Sequence, residues 1–128
     1  MQFAFTEEQD QLRGFVRQFL EEKSSEAIVR ELMDTESGYD AAVWSQMAEQ
    51  LGLQSLVIPE EFGGQGYSWV ELVVVLEEMG RALLCAPFFS TVVLATSALT
   101  LADDAEAAAE YLPKIASGEL IATVAMTE

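Results

Sequence analysis

The chain has 128 residues, 51% of them hydrophobic, which is enough to form one compact domain with a core of its own. Its 22 acidic residues outnumber six basic ones, and the net charge of -16 makes nucleic acid and anionic membrane surfaces poor partners. With no histidine and a single cysteine, Cys85, the chain excludes a disulfide, a zinc site of His and Cys ligands, and any catalytic triad that needs imidazole.

The first predicted element is an amphipathic helix that begins at Thr6, because residues 6–9 (TEEQ) form a capping-box pattern. Its apolar positions recur at helical spacing and predict one buried stripe: Leu12, Phe15, Val16, Phe19 and Leu20. A shorter helix from Ser25 to Met33 is expected next, followed by a loop over residues 34–40. A third amphipathic helix is marked by Val43, Trp44, Met47 and Leu51, and we expect Gly52 to end it. Residues 53–58 are predicted to be a short buried connector.

The stretch PEEFGGQGYS, residues 59–68, raises the possibility of a phosphate-binding loop. Gly64 and Gly66 give G-x-G, but Trp69 stands where a dinucleotide fingerprint needs its next glycine, and no Gly-Lys-Ser/Thr follows. Residues 68–71 (SWVE) form a second capping box, so a new helix begins directly after the glycines. The spacing therefore favours a loop that turns the chain.

The helix that begins at Trp69 contains the run Leu72 to Leu76, which is apolar on all sides and is expected to be buried on nearly all sides. Glu77 and Arg81 are spaced for a surface ion pair. Adjacent glutamates on a helix do not face one another, so we assign no catalytic role to Glu60, Glu61, Glu77 or Glu78.

The run from Ala82 to Ala102 carries no charge and is long enough to span a bilayer, but Pro87 and several hydroxyl side chains interrupt it. We predict instead a buried helix over residues 88–101 with Pro87 in its first turn. The same apolar run predicts that Cys85 is a small buried side chain and not a reactive thiol. Asp103 is expected to cap another helix from Ala105 to Leu112, and residues 113–118 a last helical turn.

Residues 120–126 (LIATVAM) are β-prone, yet the chain offers this strand no partner, and a lone strand cannot satisfy its own backbone hydrogen bonds. We therefore expect the polypeptide to continue beyond Glu128. The predicted fold class is all-α, with about six helices in a bundle. The predicted domains are a helical N-terminal domain over residues 1–119 and, over residues 120–128, the first strand of a truncated β-domain.

Four stretches in this order resemble the acyl-CoA dehydrogenase family: FTEEQDQLRGFVRQFL, WSQMAEQLGLQSLVIPEEFGGQGYS, VVVLEEMGRAL and YLPKIASGELIATVAMTE. The resemblance implies the family's N-terminal helical domain, which a middle β-domain and a second helical domain follow in full-length members. Such enzymes use FAD to remove hydrogens from Cα and Cβ of an acyl-CoA in the breakdown of fatty acids or related acyl chains. Electrons leave through an electron-transferring flavoprotein. Homotetramers are common, and a mixed oligomer is the alternative.

The resemblance also implies roles for two groups of residues. Val124, Met126 and Thr127 correspond to the segment that passes the flavin ring, although an ordinary strand would show the same residues. Pro87 opens a helix that lines the acyl-chain cavity in the family, and the residues of that helix assigned to substrate binding are Phe88, Thr91, Val92 and Ala95. These four share one face, and core packing alone would give the same stripe.

No catalytic or metal-ligating residue is assigned, because the resemblance implies that the family's glutamate base lies in the second helical domain. The chain alone is accordingly expected to be inactive. Two other functions remain open: a catalytically silent subunit or helical interaction module that supports an active partner, and a related flavoprotein oxidase or monooxygenase. With no signal peptide or disulfide in the sequence, we expect a cytoplasmic protein without a membrane span.

Overall fold

The structure, a computed structural model, describes residues 3–127, and within that range it contains helices and no β-strand. Six α-helices are present there: α1 Glu7–Lys23, α2 Glu26–Met33, α3 Ala41–Glu49, α4 Trp69–Arg81, α5 Thr96–Leu101 and α6 Ala105–Ala116. Two 3₁₀ turns cover Leu53–Ser55 and Glu60–Phe62, and a π-helical segment, Phe89–Ala95, runs directly into α5. The predicted all-α class is confirmed. The described chain divides into two compact units, one of residues 3–39 and 68–85, the other of residues 40–67 and 86–127.

In the first unit, α1 packs against α4, and both helices begin at the predicted capping boxes. Val16 and Leu20 are fully buried, but Phe15 is 62% exposed, so the predicted stripe of α1 is too wide. Phe15 is one residue, about 100° of rotation, away from Val16, and this places it off the contact face. For the same reason Val73 is 47% exposed, and the prediction that residues 72–76 are buried on nearly all sides is wrong at this position.

The predicted surface pair between Glu77 and Arg81 is replaced by two other pairs. Nη2 of Arg13, on α1, lies 2.8 Å from Glu77, while Nε of Arg81 lies 3.1 Å from Glu78. Glu78 is buried, with 2% of its surface exposed, whereas Glu77 faces solvent. Arg13, on α1, thus pairs with Glu77, while Arg81 pairs within α4 with Glu78, three residues before it, and not with Glu77.

In the second unit, a core cluster of Ile58, Ala95, Ala108, Leu112 and Ile115 joins the π-helical segment, α6 and the residues before the glycine-rich loop. The N-cap of α6 is Asp104, whose Oδ1 accepts from the amide of Ala107, and not the predicted Asp103. α6 also continues to Ala116 through Pro113, four residues beyond its predicted end at Leu112. A proline inside a helix removes one hydrogen bond, and the buried Leu112 and Ile115 on either side stabilise the continuation.

The glycine-rich loop turns the chain, and its backbone amides donate hydrogen bonds to nearby carbonyl oxygens. The amides of Gly64, Gln65 and Gly66 bond to carbonyl oxygens of residues 59, 55 and 58, at distances of 3.1, 2.9 and 3.0 Å. A Cβ added at Gly64 would lie 1.8 Å from the carbonyl oxygen of Ile58, so the close approach requires glycine. The N–H groups that a phosphate would need are thus already bonded, which agrees with the turn that the spacing predicted.

The uncharged run forms the π-helical segment and α5, and in residues 3–127 no helix combines the length and apolar character needed to cross a membrane. Its burial is one-sided: Phe88 is 2% exposed, whereas Phe89 and Leu101 are 57% and 81% exposed. Cys85, which lies in this run before the π-helical segment, is half-buried, so the prediction of a buried thiol holds only in part.

Candidate functional site

The candidate functional site is formed by the π-helical segment and the residues that follow α6, all within the second unit. Four of the five residues predicted to bind substrate lie here on one buried face: Phe88, Thr91, Val92 and Ala95, each 5% exposed or less. Pro87, which precedes the segment, is half-buried. The shared face that the spacing predicted is therefore present, and in the described chain it points into the protein.

The π-helical geometry of Phe89–Ala95 is a feature that the sequence analysis missed. In a π-helix the hydrogen bonds run from residue i+5 to residue i, and here the amide of Thr96 bonds to the carbonyl oxygen of Thr91. The hydroxyl of Thr96 donates to the same carbonyl at 3.1 Å. The run of β-branched residues at 91–93 lowers α-helix propensity and was the available signal, although it does not specify a π-helix.

Thr91 joins this segment to the C-terminal residues. Its fully buried hydroxyl donates to the carbonyl oxygen of Ala122 at 3.1 Å and lies 3.1 Å from the amide of Ala122, which donates to it. Leu120 and Ala122 also pack against the core cluster that includes Ala95. The two groups of predicted site residues are therefore linked through residue 122, two positions before Val124.

Residues 120–125 alternate in exposure. Leu120, Ala122 and Val124 are half-buried, while the residues between them are exposed, and this period of two is typical of an extended chain. Met126 is 74% exposed, and Thr127 is exposed as well. Within residues 3–127 the amides of residues 123–127 donate no hydrogen bond to other backbone groups. The segment thus has amides without a backbone acceptor among the described residues, and the predicted strand, whose last residue lies outside that range, stays a prediction.

The buried carboxylate of Glu78, in the first unit, is the other conspicuous polar group. Its oxygens lie 2.8 Å from Nη2 of Arg17, 3.1 Å from Nε of Arg81 and 3.2 Å from Nη1 of Arg13. Hydrogen bonds from Arg17, and then from Arg81 and Arg13, lower the pKa of Glu78 to about 2 although burial opposes the shift. A carboxylate stabilised in this way is a poor proton acceptor at neutral pH, so Glu78 is unsuited to act as a general base.

Glu78 could not have been singled out from the sequence, because it stands beside Glu77 in an ordinary helical pattern. The same holds for Gln54, which is fully buried and donates through Nε2 to the carbonyl oxygen of Trp44. Among residues 3–127, no group of three or more Cys, Asp or Glu side chains is arranged to hold a metal ion.

The chain was compared with known proteins. The family model for "Acyl-CoA dehydrogenase, N-terminal domain" matches residues 6–119. The acyl-CoA dehydrogenase IpdE2 of Mycolicibacterium smegmatis is 39% identical over 119 residues, which cover 93% of this chain and 37% of that protein. The curated relatives that this chain matches are longer, and the chain spans about a third of their length.

Solved structures show the same likeness. A chain in the crystal structure of the ChsE4–ChsE5 complex from Mycobacterium tuberculosis matches with a TM-score of 0.86 and 31% identity, covering 96% of this chain and 34% of that one. A chain in a structure of the electron transferring flavoprotein of Acidaminococcus fermentans matches with a TM-score of 0.73 and 27% identity, covering 94% of this chain and 32% of that one.

Proposed function

Because this chain belongs to the acyl-CoA dehydrogenase family, through that family's N-terminal domain, we propose that it is the helical domain of an FAD-dependent dehydrogenase of acyl-CoA thioesters. The observation that carries the proposal is the match over residues 6–119, which includes nearly all of the helices described above. The proposed reaction removes a proton from Cα and a hydride from Cβ of the acyl chain.

In this proposal the buried face of the π-helical segment lies beneath one wall of the acyl-chain cavity. Phe88, Val92 and Ala95 are buried in the described chain, so they would support this wall from behind and exclude water from it without touching the acyl chain. Pro87 sets the direction in which the segment begins. The family resemblance supports the assignment of this segment to the wall.

Residues 124–127 are proposed to contact the flavin. They fit such a group, because their amides donate no backbone hydrogen bond within residues 3–127 and the side chain of Thr127 is exposed. Backbone groups near Val124 and Met126 and the hydroxyl of Thr127 would hydrogen-bond to the polar edge of the ring. FAD, when bound, supplies the acceptor for the hydride.

The carboxylate that removes the α-proton is proposed to lie outside these 128 residues. Glu78 is ionised, because hydrogen bonds from three arginines lower its pKa to about 2. The contribution of the described residues is therefore to bind and orient the acyl chain and the cofactor, and the proton is transferred by a group that this chain does not supply.

Two kinds of partner belong to the same proposal. An electron-transferring flavoprotein would accept the electrons, and a homotetramer or a mixed oligomer would be the assembly. One of the similar structures is a complex of two named proteins, and this supports testing for a mixed oligomer. A cytoplasmic location stays a prediction from the sequence.

The test uses the protein expressed from its complete coding sequence. We expect the purified protein to keep its flavin absorbance through a desalting column, and an acyl-CoA to bleach that absorbance without oxygen and to support dye reduction. Retained flavin with acyl-CoA-dependent oxygen consumption in place of dye reduction would indicate an oxidase or monooxygenase. A colourless protein that nevertheless co-purifies with an active partner would refute the proposal in favour of a silent subunit.

The 128-residue chain gives a second test. Supplied with FAD and an acyl-CoA, it is expected to reduce no dye, because the base lies elsewhere. Dye reduction by this polypeptide alone would show that the base has been wrongly placed.

A further inference from the structure

Thr91 pairs with the main chain of Ala122 in the way that a neighbouring strand would. One buried hydroxyl accepts from the amide of Ala122 and donates to its carbonyl oxygen, both at 3.1 Å. In a sheet, such a reciprocal pair joins two backbone segments and fixes which residues lie opposite each other. Here a side chain on a helix provides both bonds, so a segment with no strand beside it is held at one residue.

The π-helical geometry holds the Thr91 end of this pair in place. The carbonyl oxygen of Thr91 accepts from both the amide and the hydroxyl of Thr96, whose side chain is itself 2% exposed. The backbone of residue 91 is therefore bonded to the following turn while its side chain bonds to residue 122. π-Helical turns are rare and occur frequently at functional sites, which supports a specific role for this one.

A fixed residue 122 determines where the following residues lie. A chain in extended conformation advances about 3.3 Å per residue, so residues 124 to 127 lie about 7 to 17 Å beyond the pair. A shift of one residue would exchange the half-buried side chains for the exposed ones. Val124 would then turn outward, and the side chain of Thr127 would face the opposite way.

We propose that Thr91 is a positioning residue that fixes the register of residues 120–127 and thereby the place at which Val124, Met126 and Thr127 meet the flavin. This inference rests on the proposed function for its flavin part. It gives Thr91 a role different from contact with the acyl chain, because its hydroxyl is occupied by Ala122 and its side chain is fully buried.

The experiment compares three variants of the protein expressed from its complete coding sequence. Thr91→Val keeps the side-chain shape and removes both bonds to Ala122, while Thr91→Ser keeps the hydroxyl. Thr100→Val is the matched control, because it makes the same change at a threonine whose hydroxyl donates to the carbonyl oxygen of Thr96 and bonds to neither residue 91 nor residue 122. Far-UV circular dichroism establishes that each variant is folded.

The first measurement is hydrogen–deuterium exchange at residues 120–124. Loss of the bond should speed exchange at the amide of Ala122 by about tenfold in Thr91→Val, the factor expected for a hydrogen bond of typical net strength. Thr91→Ser and Thr100→Val should exchange like the wild type at this amide. An unchanged rate in Thr91→Val, or an equal increase in Thr100→Val, would overturn the inference.

The second measurement is the affinity for FAD, read from flavin fluorescence during titration. It should fall by about tenfold in Thr91→Val, return in Thr91→Ser and stay unchanged in Thr100→Val. Faster exchange at Ala122 with equal FAD affinity in all variants would refute the link to the flavin. A wild-type protein that binds no FAD would refute the proposed function, and the exchange rates would still decide whether Thr91 holds the segment.

If Thr91→Val fails to fold, Ala122→Pro tests the same hydrogen-bonded pair at its other residue, because proline has no amide hydrogen to donate to Thr91. It should lower FAD affinity about as much as the loss of one of the two bonds would. Wild-type affinity in a folded Ala122→Pro protein would overturn the inference.

Discussion

Replacing Glu78 with glutamine tests whether the buried carboxylate joins α1 to α4. Glu78 accepts two bonds from Arg17, at 3.0 and 2.8 Å, one from Arg13 at 3.2 Å and one from Arg81 at 3.1 Å. Glutamine has nearly the same shape but only one acceptor oxygen, and its amide group would face a guanidinium, which also donates. The substitution therefore removes the charge and breaks part of the network without leaving a cavity.

The size of the effect follows from the pKa of Glu78. Its lowering from 4.5 to about 2, caused first by Arg17, corresponds to at most about 3 kcal/mol of stability at neutral pH. The side chains of Arg17 and Arg81 are 46% and 48% exposed, so solvent screens part of the interaction. We therefore expect Glu78→Gln to lower the free energy of unfolding by about 2 kcal/mol.

The assay is urea unfolding followed by circular dichroism from pH 7 to pH 2, with the difference between wild type and variant as the result. Because the folded-state pKa is lowered, the stabilisation is fully present above pH 4.5 and is lost as the pH falls toward 2. The difference should therefore shrink across this range. Glu77→Gln is the control, because Glu77 is exposed and, among residues 3–127, pairs only with Arg13, and it should cost less than about 0.5 kcal/mol. Equal effects of the two substitutions, or a difference that persists unchanged at pH 2, would refute the reasoning.

Three further predictions concern the free energy of unfolding, measured in urea. Gly64→Ala should cost about 2 kcal/mol or more, because its Cβ would lie 1.8 Å from the carbonyl oxygen of Ile58. Gly14→Ala is the control: open space surrounds Gly14 in α1, so this substitution should stabilise the protein by about 0.5 to 1 kcal/mol. A neutral Gly64→Ala would contradict the loop geometry. Leu83 has a φ of +52°, so Leu83→Gly should be more stable than Leu83→Ala by about 1 kcal/mol, and the reverse order would contradict this backbone conformation. Asp104→Ala should cost about 1 kcal/mol through loss of the N-cap of α6, and no change would argue against that cap.

The features that the sequence predicted well are those determined within one turn of chain. Both capping boxes, at Thr6 and Ser68, formed as predicted, because each satisfies backbone donors within three residues and needs no distant partner. The turn at Gly64 was predictable for the same reason. Where two local signals competed, as at Asp103 and Asp104, the choice between them failed, since either aspartate can cap a helix.

The features that the sequence did not predict depend on residues far apart in the chain. The sequence does not distinguish Glu78 from Glu77, because nothing in α4 indicates that α1 delivers Arg13 and Arg17 to it. Periodicity placed Thr91 on the correct face of its helix, but it could not show that the hydroxyl would bond to residue 122. A pattern thus gives the direction of a side chain, and only the packing gives its partner.

These two long-range polar contacts explain why the described residues fit a positioning role. The carboxylate of Glu78, bound by three arginines, stabilises the contact between α1 and α4. Its lowered pKa makes it a poor proton acceptor, so in the proposed reaction another group transfers the proton. The hydroxyl of Thr91 is likewise occupied, and it holds a segment whose next amides, those of residues 123–127, donate no backbone hydrogen bond within the described range. Glu78 and Thr91 therefore fix geometry, and the proposed cofactor would meet the amides that follow residue 122.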